Sequence, residues 1–505
     1  MSGVRVTYTG LIAFATRITS ILTGLIFTLI VTRQLTAEEF GTWGLINGVI
    51  VYAIILHPIV SYWSTRETAR GEDTGKTAIA TIGMLSLVGI CTYIAIAFVT
   101  GVQSDADLSI LLYATILVPV IFLNEGLNGV LLGFKPHARS FGFITFEIVK
   151  IPVALILVYY LQLGIEGAII ASFVSYLSSI VILFIYAKER LTGTLTKSHI
   201  KKWFKLSWLP LYRKIPGLIS MSDVVVFSII TGSIVGIAYY TAARTIGFLV
   251  YHSRSITSGV YPKLLEGGHE KVLSNNLVQF FYVSIPIVAI SITFARPGLF
   301  ALNPIYEIAV PVVILLSVRQ FLTSLNMILF NALQGIEKVD LKKDASFKDY
   351  SKSNLVLFPT FQMIRHAVYI GSLVVILAIV GTHEEAEINL VIYWAIVGLI
   401  VEIPLSMYII KLVKKSFSLK IDYKSISKYL FSTILVFSIL YLVMDEYLVY
   451  HESIFDFLPH LALFMVSGIG SYIGITYVID TKTKMLINGI IKEITKKNKN
   501  NDGRR

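Results

Sequence analysis

Apolar segments of about 20 residues recur along the whole chain, and short polar or charged stretches separate them. A helix of about 20 apolar residues spans the roughly 30 Å hydrocarbon layer of a bilayer. Of the 505 residues, 55% are hydrophobic and only 15% are charged. A soluble chain of this length does not bury so much apolar surface with so few charges. The sequence therefore predicts an all-α, polytopic membrane protein.

The hydrophobic pattern predicts about fourteen transmembrane helices. An even number of spans places both ends of the chain on the same side of the membrane. The predicted spans cover residues 8–32, 43–60, 78–100, 108–132, 141–161, 166–187, 206–231, 233–260, 277–301, 306–334, 354–380, 388–411, 428–445 and 458–480.

Most of the 43 Lys and Arg residues lie in loops and tails on one side of the predicted membrane. Examples are Lys201 and Lys202 before the seventh span, and the tail from Lys482 to Arg505. The loops on the other side carry acids such as Asp105 and Asp107. Basic loops stay in the cytoplasm during membrane insertion. The charge bias therefore predicts a multi-pass protein of the cell (plasma) membrane with both termini in the cytoplasm.

Short stretches recur at an offset of six spans. Residues 29–32 and 228–231 are similar, as are residues 132–135 and 334–338. A repeat with an even offset predicts two six-helix lobes related by an axis along the membrane normal. The predicted organisation is an N-lobe (1–190), a C-lobe (191–415), two further spans (416–480) and a basic cytoplasmic tail (481–505).

Several loose motifs, in this order and spacing, resemble a known family. They cover residues 31–41, 223–226, 235–240, 303–306 and 333–335. From about residue 5 to residue 415 the sequence resembles the multidrug/oligosaccharidyl-lipid/polysaccharide (MOP) exporter superfamily. Within it, the likeness is to the polysaccharide-biosynthesis branch, which flips lipid-linked oligosaccharides.

The resemblance implies an alternating-access flippase with a MOP/MATE-like fold. Its substrate would be a glycan linked to a polyprenyl or dolichyl phosphate or pyrophosphate. Transport would run from the cytoplasmic to the outer leaflet, for cell-surface polysaccharide or glycoprotein synthesis. The implied partners are this lipid-linked glycan, membrane lipid and the enzymes that assemble the glycan. The basic loops are explained by membrane topology, so we predict no nucleic-acid partner.

Lys and Arg inside the predicted spans outnumber Asp and Glu. The cations are Arg17, Lys150, Arg213, Lys214, Arg244, Arg254, Arg296, Arg319 and Arg365, and the acids are chiefly Glu125, Glu147, Asp223, Glu307 and Glu402. Each charge near the bilayer centre costs roughly 2.5–3.5 kcal/mol, so such side chains normally face protein or a watery cavity. A cationic surplus suits an anionic phosphate, which Arg can bind through two hydrogen bonds.

Arg17 is the first candidate for a substrate-binding cavity residue. At about 100° per residue it shares a helix face with Gly10, Ala13, Gly24 and Thr28. A face of small residues that carries one arginine is suited to a cavity wall. The alternative is close helix packing in which Arg17 bonds to a backbone carbonyl.

Arg244 is the second candidate, because it shares a face of the eighth span with Tyr240 and Tyr251. Aromatic rings beside a cation can bind sugar and phosphate, although Tyr is also common as a packing residue or interface anchor. Arg319 and Arg365 lie deep in their spans and complete the set of cavity candidates.

Asp223 and Glu402 are the ion-coupling candidates, because both acids lie deep in spans of the predicted C-lobe. Partners within the helix bundle are an equally open explanation for them. Glu147 and Lys150 are three residues apart, and we predict that they pair with each other.

Two other functions compete with the flippase. A Na⁺- or H⁺-coupled drug or metabolite antiporter of the same superfamily would be favoured by an acid in the first span, which has none. A membrane glycosyltransferase or glycan polymerase would need acids in a sizeable outward loop. The outward loops are short, and the one that contains Asp105-Ala106-Asp107 covers only residues 101–107, too few for a catalytic domain. The chain has no Walker A or HExxH motif. We therefore predict a transporter rather than an enzyme, with no catalytic residue, metal or cofactor.

Overall fold

The computed structural model describes residues 23–257, 264, 270–337, 339, 353–381, 386–419, 421–485 and 487–488. Throughout these ranges the regular structure is helical. The chain forms two compact units. Unit 1 contains the described residues up to Thr241 together with Pro359–Trp394. Unit 2 contains those of Ala242–Phe358 and those from Ala395 onward.

The first eleven helices belong to unit 1. They are α1 (residues 23–34), α2 (Ala37–Ala53), α3 (His57–Ala69), α4 (Gly75–Gln103), α5 (Leu108–Tyr113), α6 (Leu117–Phe134), α7 (Pro136–Ala154), α8 (Gly164–Ala187), α9 (Lys197–Lys205), α10 (Trp208–Ser220) and α11 (Ser222–Thr231). A 3-10 turn, Ala114–Ile116, joins α5 to α6, and a π-helical segment, Leu155–Tyr160, continues α7.

The remaining helices build unit 2 and complete unit 1. They are α12 (Ile234–Gly247), α13 (Glu270–Thr293), α14 (Ala295–Leu302), α15 (Val310–Gly335), α16 (Asn354–Val380), α17 (Glu387–Ser416), α18 (Tyr423–Tyr447) and α19 (Ile454–Ile479). The 3-10 segments Phe248–Thr257 and Pro304–Ala309 follow α12 and precede α15. The boundaries between the units fall inside α12, α16 and α17.

Twelve helical segments of the described residues are long and apolar enough to cross a membrane. The bent pair α2 and α3 makes a thirteenth if it is one span. The first predicted span, 8–32, begins outside the described residues, and its end belongs to α1. The prediction of an all-α polytopic fold is confirmed, and the number of spans is close to the predicted fourteen. The division into two six-helix lobes and a tail stays a prediction.

The second span is bent, whereas the sequence pattern predicts one continuous segment over 43–60. The chain turns by 58° between α2 and α3. Pro58 lies in the first turn of α3, where its missing N–H breaks no helical hydrogen bond. A proline at this position inside one continuous helix would remove the hydrogen bond to the Ile54 carbonyl and clash with it, so α2 ends at Ala53 and a new helix begins at His57.

Glu39 fixes the starts of two helices. Its Oε2 accepts a hydrogen bond from Thr36 N at 3.0 Å, while Thr36 Oγ1 accepts one from Glu39 N at 3.2 Å, which is a capping box for α2. The second oxygen, Oε1, accepts from Ile165 N at 3.2 Å in the first turn of α8. Gly164 leads into that turn with φ of 54°, a conformation that glycine adopts readily. One carboxylate therefore joins α2 to α8.

In unit 2, an ion pair outside the membrane-spanning segments joins the start of α18 to the residues that follow α19. Lys482 Nζ lies 2.8 Å from Asp422 Oδ2. The hydrogen bond from Lys482 and those from Ser425 hold the pKa of Asp422 down to about 2. The buried Asp480 accepts hydrogen bonds from Ser425 Oγ and Tyr429 OH, both at 2.9 Å. These contacts join the start of α18 to the end of α19.

Helices α3 and α6 pack with their backbones almost in contact. A Cβ at Gly129 would lie 2.8 Å from the Cα of Ser61, and one at Gly133 would overlap the carbonyl oxygen of Thr65. Thr65 Oγ1 donates a hydrogen bond to the Gly129 carbonyl at 2.7 Å. Small residues permit this approach, which drives helix association in a membrane. The contact also brings Glu125, one turn before Gly129, beside α3.

We predict that Gly129→Ala destabilises unit 1. The new Cβ meets backbone atoms of α3, which cannot move aside as a side chain can, so overpacking should cost about 1–3 kcal/mol. The measurement is the thermal unfolding midpoint in detergent. The matched control is Gly83→Ala, because a Cβ at Gly83 meets nothing within 4 Å. Its midpoint should be unchanged or slightly higher, since Ala favours a helix over Gly. Equal loss in both variants would refute the close contact.

Candidate functional site

Four charged or titratable side chains from four helices meet inside unit 1. We call them the inner charge cluster: His57 of α3, Glu125 of α6, Arg139 of α7 and Lys214 of α10. The Nδ1 atom of His57 lies 3.9 Å from Oε2 of Glu125. Arg139 donates a hydrogen bond to Asn128, one turn after Glu125 in α6, which places its positive charge near the Glu125 carboxylate. Lys214 of α10 lies further out, near enough for its charge to influence the same carboxylate but not in contact with it. The cluster thus contains two permanent cations, one acid and one imidazole.

The cluster lies well inside the helices. Glu125 is nine residues before Phe134, the last residue of α6, which corresponds to about 14 Å of helix. Yet 37% of the Glu125 side chain is accessible. Exposure of a carboxylate to hydrocarbon at such a depth would cost roughly 2.5–3.5 kcal/mol. Because charged groups of three other helices surround it, we interpret the open side as a watery space within unit 1.

Hydrogen-bonding capacity remains free in the cluster. Arg139 donates from Nε to Asn128 Oδ1 at 3.4 Å, and its two Nη groups make no hydrogen bond to the described residues. In the same part of the chain, neither carboxylate oxygen of Glu125 accepts a hydrogen bond. A guanidinium with a free fork and an ammonium group can bind a phosphate or carboxylate. The arrangement is therefore suited to an anionic ligand.

Glu67 positions the helix that carries Lys214. This buried carboxylate accepts hydrogen bonds from Lys202 Nζ at 2.7 Å and from Trp203 Nε1 at 2.8 Å. Both donors lie on α9, so the short basic helix is tied to the end of α3. Helix α10 begins at Trp208 and packs against α3, which places Lys214 where its charge acts on His57.

Glu147 and Lys150 form a closed pair, as predicted. Lys150 Nζ lies 2.8 Å from Glu147 Oε2, and Thr23 Oγ1 donates to the same oxygen at 2.7 Å. The ammonium also lies about 5 Å from the rings of Phe27 and Phe146. The pair is buried and saturated, so it acts as a structural link between α1 and α7.

Asp223 is the centre of a second polar cluster in unit 1. Its Oδ2 accepts a hydrogen bond from Tyr369 OH at 2.9 Å and a long one from Tyr240 OH at 3.5 Å. Trp394 Nε1 donates to the Tyr369 hydroxyl at 2.8 Å, and the Tyr240 ring stacks on Trp394 at 3.6 Å. The buried carboxyl forms no ion pair with a Lys or Arg of the described residues.

Glu402, the other predicted ion-coupling acid, is buried in unit 2. Its Oε1 accepts a hydrogen bond from Asn326 Nδ2 at 2.7 Å, and the same amide group donates to Ser406 Oγ at 2.8 Å. Arg319 lies against Gly398, one turn before Glu402, where a Cβ would overlap its guanidinium. The missing side chain at Gly398 therefore provides the space for Arg319.

The predicted cavity residues Arg244 and Tyr251 both lie beside the ring of Phe248. Arg244 lies in the last turn of α12, with its guanidinium 4.9 Å from the Phe248 ring. The backbone changes to a 3-10 helix after Gly247, so the α-helical face predicted to include Tyr251 ends there. The Tyr251 ring stacks with Phe248 at 5.3 Å.

The structure describes Arg365 but not Arg17. Arg365 Nη2 lies 2.7 Å from Nε2 of His366, its neighbour in α16. Arg17 lies outside the described residues. Among the predicted site residues, Asp223 and Tyr240 are joined by a hydrogen bond. The sequence reasoning missed the inner charge cluster, because it counted Arg139 as a loop residue and Lys214 as a cation that reaches the interface. The signal that could have found it is the depth of Glu125 in α6.

No family model and no curated protein matches the chain. A solved structure of the lipid II flippase MurJ in an inward closed conformation superposes with a TM-score of 0.63. It is 14% identical in sequence, and the alignment covers 94% of this chain and 98% of that one. An inward-facing multidrug resistance MATE family transporter of the MOP superfamily superposes with a TM-score of 0.56. It is 16% identical, over 79% of this chain and 95% of that one. The chain therefore has a MATE- and MurJ-like fold, as the sequence predicts.

We predict that Tyr369→Phe destabilises unit 1 more than Tyr240→Phe does. Loss of the Tyr369 hydroxyl removes the shorter donor to Asp223 and the acceptor of Trp394 Nε1, which should cost about 1–2 kcal/mol. Tyr240→Phe removes the longer contact to Asp223 and keeps the stacked ring. The measurement is the thermal unfolding midpoint of each variant in detergent. A larger loss for Tyr240→Phe would contradict the proposed order of the hydrogen bonds.

Proposed function

We propose that this protein is a flippase for a lipid-linked oligosaccharide. It would carry a polyprenyl or dolichyl phosphate- or pyrophosphate-linked glycan from the cytoplasmic to the outer leaflet of the plasma membrane by alternating access. The observation that carries this proposal is the inner charge cluster, in which Arg139 and Lys214 offer free donors inside unit 1. The glycan would come from assembly enzymes at the cytoplasmic face.

The chemistry of the cluster supports an anionic substrate. Two cations against one acid leave a net positive site, and a partly desolvated Arg binds phosphate through paired hydrogen bonds. The fold adds a second line of support. The superposition on MurJ, described as a lipid II flippase, covers 94% of this chain. That likeness supports the flipping of a lipid-linked substrate.

The predicted cavity cations have a place in this proposal. Arg17, Arg244, Arg319 and Arg365 would add positive charge along the route of the headgroup. Tyr251 would offer a ring for sugar contact. The proposed orientation, with both termini in the cytoplasm, rests on the distribution of Lys and Arg between the loops.

Asp223 supports a coupling ion, and it also keeps the second candidate function open. A buried carboxyl held by neutral hydroxyl donors can exchange a proton or Na⁺. We propose Asp223 as the coupling group of the flippase, with Glu402 as the corresponding acid in unit 2. The same feature would serve a Na⁺- or H⁺-coupled drug or metabolite antiporter. The inner charge cluster favours the flippase, because a cationic drug would be repelled by Arg139 and Lys214.

The test is flipping of a fluorescent polyprenyl-pyrophosphate oligosaccharide in proteoliposomes. We expect the wild type to flip it, and the double variant Arg139→Ala/Lys214→Ala to be at least about tenfold slower, because it loses charge-assisted hydrogen bonds to the headgroup. The control is Lys414→Ala/Lys415→Ala, which removes two exposed cations at the end of α17 and should flip normally.

Two results would overturn the proposal. The first is a double variant that folds and flips as fast as the wild type. The second is a wild type that ignores glycolipids but exchanges small organic cations against Na⁺ or H⁺. The second result would establish the antiporter.

A further inference from the structure

The Glu125 carboxylate is placed among cations without being bonded to them. It lies 3.9 Å from His57 Nδ1. Arg139 and Lys214 lie near enough for their charges to influence it. It accepts no hydrogen bond from the described residues. Glu147 shows the contrast, since its Oε2 is bonded to both Lys150 and Thr23. Glu125 therefore balances charge in the empty site but remains easy to displace.

We propose that Glu125 is the resident counter-anion of Arg139 and Lys214, and that a substrate phosphate replaces it while the displaced carboxylate takes up one proton. This inference rests on the proposed function and deepens it, because it states how the headgroup site is loaded. The ligand class is a phosphate or pyrophosphate ester. The proton comes from water, and binding of the anion and of the proton are coupled.

Charge balance explains why the two events are coupled. With Glu125 ionised, the empty cluster carries two positive charges and one negative charge. If a phosphate diester with one negative charge enters and Glu125 becomes neutral, the net charge of the cluster and its ligand equals that of the empty cluster. If Glu125 stayed ionised, the incoming anion would lie near a like charge in a partly desolvated space, which favours the protonated carboxyl. Proton uptake therefore removes the repulsion.

The charged and titratable groups around Glu125 come from four other helices, and α4 packs against α6 at this level through the apolar side chains of Ile79 and Ile82. His57 of α3, Arg139 of α7 and Lys214 of α10 face it, and its charge acts on the Tyr176 hydroxyl of α8. The imidazole of His57 is the rival proton acceptor. It lies 3.3 Å from Ser61 Oγ through Nδ1, the same atom that faces Glu125. The experiment must therefore separate His57 from Glu125.

The probe is a water-soluble, short-chain isoprenyl pyrophosphate ester of N-acetylglucosamine. Both of its phosphates remain ionised near neutral pH, so a proton taken up on binding belongs to the protein. Calorimetry of the full chain in detergent, in two buffers of different ionisation enthalpy, counts the protons. We expect about one proton per ligand for the wild type near pH 7.5, and an affinity that rises by up to about tenfold for each unit of falling pH.

Glu125→Gln should bind the ester with no proton uptake and with an affinity that does not depend on pH. Its affinity near pH 8 should equal or exceed that of the wild type, because no carboxylate needs to be displaced. The matched control is Glu166→Gln, an exposed acid in the first turn of α8, which should behave as the wild type. Glu125→Ala serves as a second variant if the amide disturbs folding.

Three outcomes would overturn the exchange. The first is proton uptake by the Glu125→Gln variant when it binds the ester. Another is loss of proton uptake in His57→Gln with uptake intact in Glu125→Gln, which would assign the proton to the imidazole. The third is a wild type that binds the ester without proton uptake, which leaves the flippase proposal standing. A wild type that fails to bind the ester at all would refute both the exchange and the proposed headgroup site.

Discussion

A charge inside a hydrocarbon layer needs a partner, because each one left to the lipid costs roughly 2.5–3.5 kcal/mol. Unit 1 meets this requirement in three ways. Glu147 is saturated by a lysine and a threonine. Asp223 is held by neutral hydroxyl donors, the nearer of them at 2.9 Å. Glu125 lies among cations without bonding to them. The first arrangement stabilises the fold, the second leaves a buried carboxyl without an ion pair among the described residues, and the third leaves hydrogen-bonding capacity free, as the proposed anion site requires.

The third arrangement depends on backbone packing. Gly129 and Gly133 let α6 approach α3 so closely that even a methyl group would not fit. The chain bends before Pro58, and α3 begins after the bend at His57. Glu67 near the other end of α3 accepts hydrogen bonds from α9. Because α10 follows α9 in the chain, these bonds help to position α10 and its Lys214. Residues outside the inner charge cluster thus determine where the charges of the site lie.

The sequence predicts the fold well and the site poorly, for a physical reason. Span length and hydropathy follow directly from membrane thickness, so the helical architecture and the approximate number of spans can be read from composition. Which helix faces meet depends on tertiary packing. The face predicted for Arg244 and Tyr251 assumes a uniform α-helix, but the backbone becomes a 3-10 helix after Gly247. Arg139, assigned to a loop, lies in the first turn of α7.

A flippase for an anionic headgroup must bind it and also release it. A site of bare cations would hold phosphate tightly and would be costly to leave empty inside a membrane, since its own charges would lack partners. An internal carboxylate that neither donates nor accepts a strong bond solves both problems. In the exchange proposed above, Glu125 would lower the cost of the empty site and would compete for Arg139 and Lys214 when the substrate departs. The absence of a hydrogen bond to Glu125 from the described residues is then a requirement of turnover, because a saturated pair like Glu147–Lys150 could not exchange.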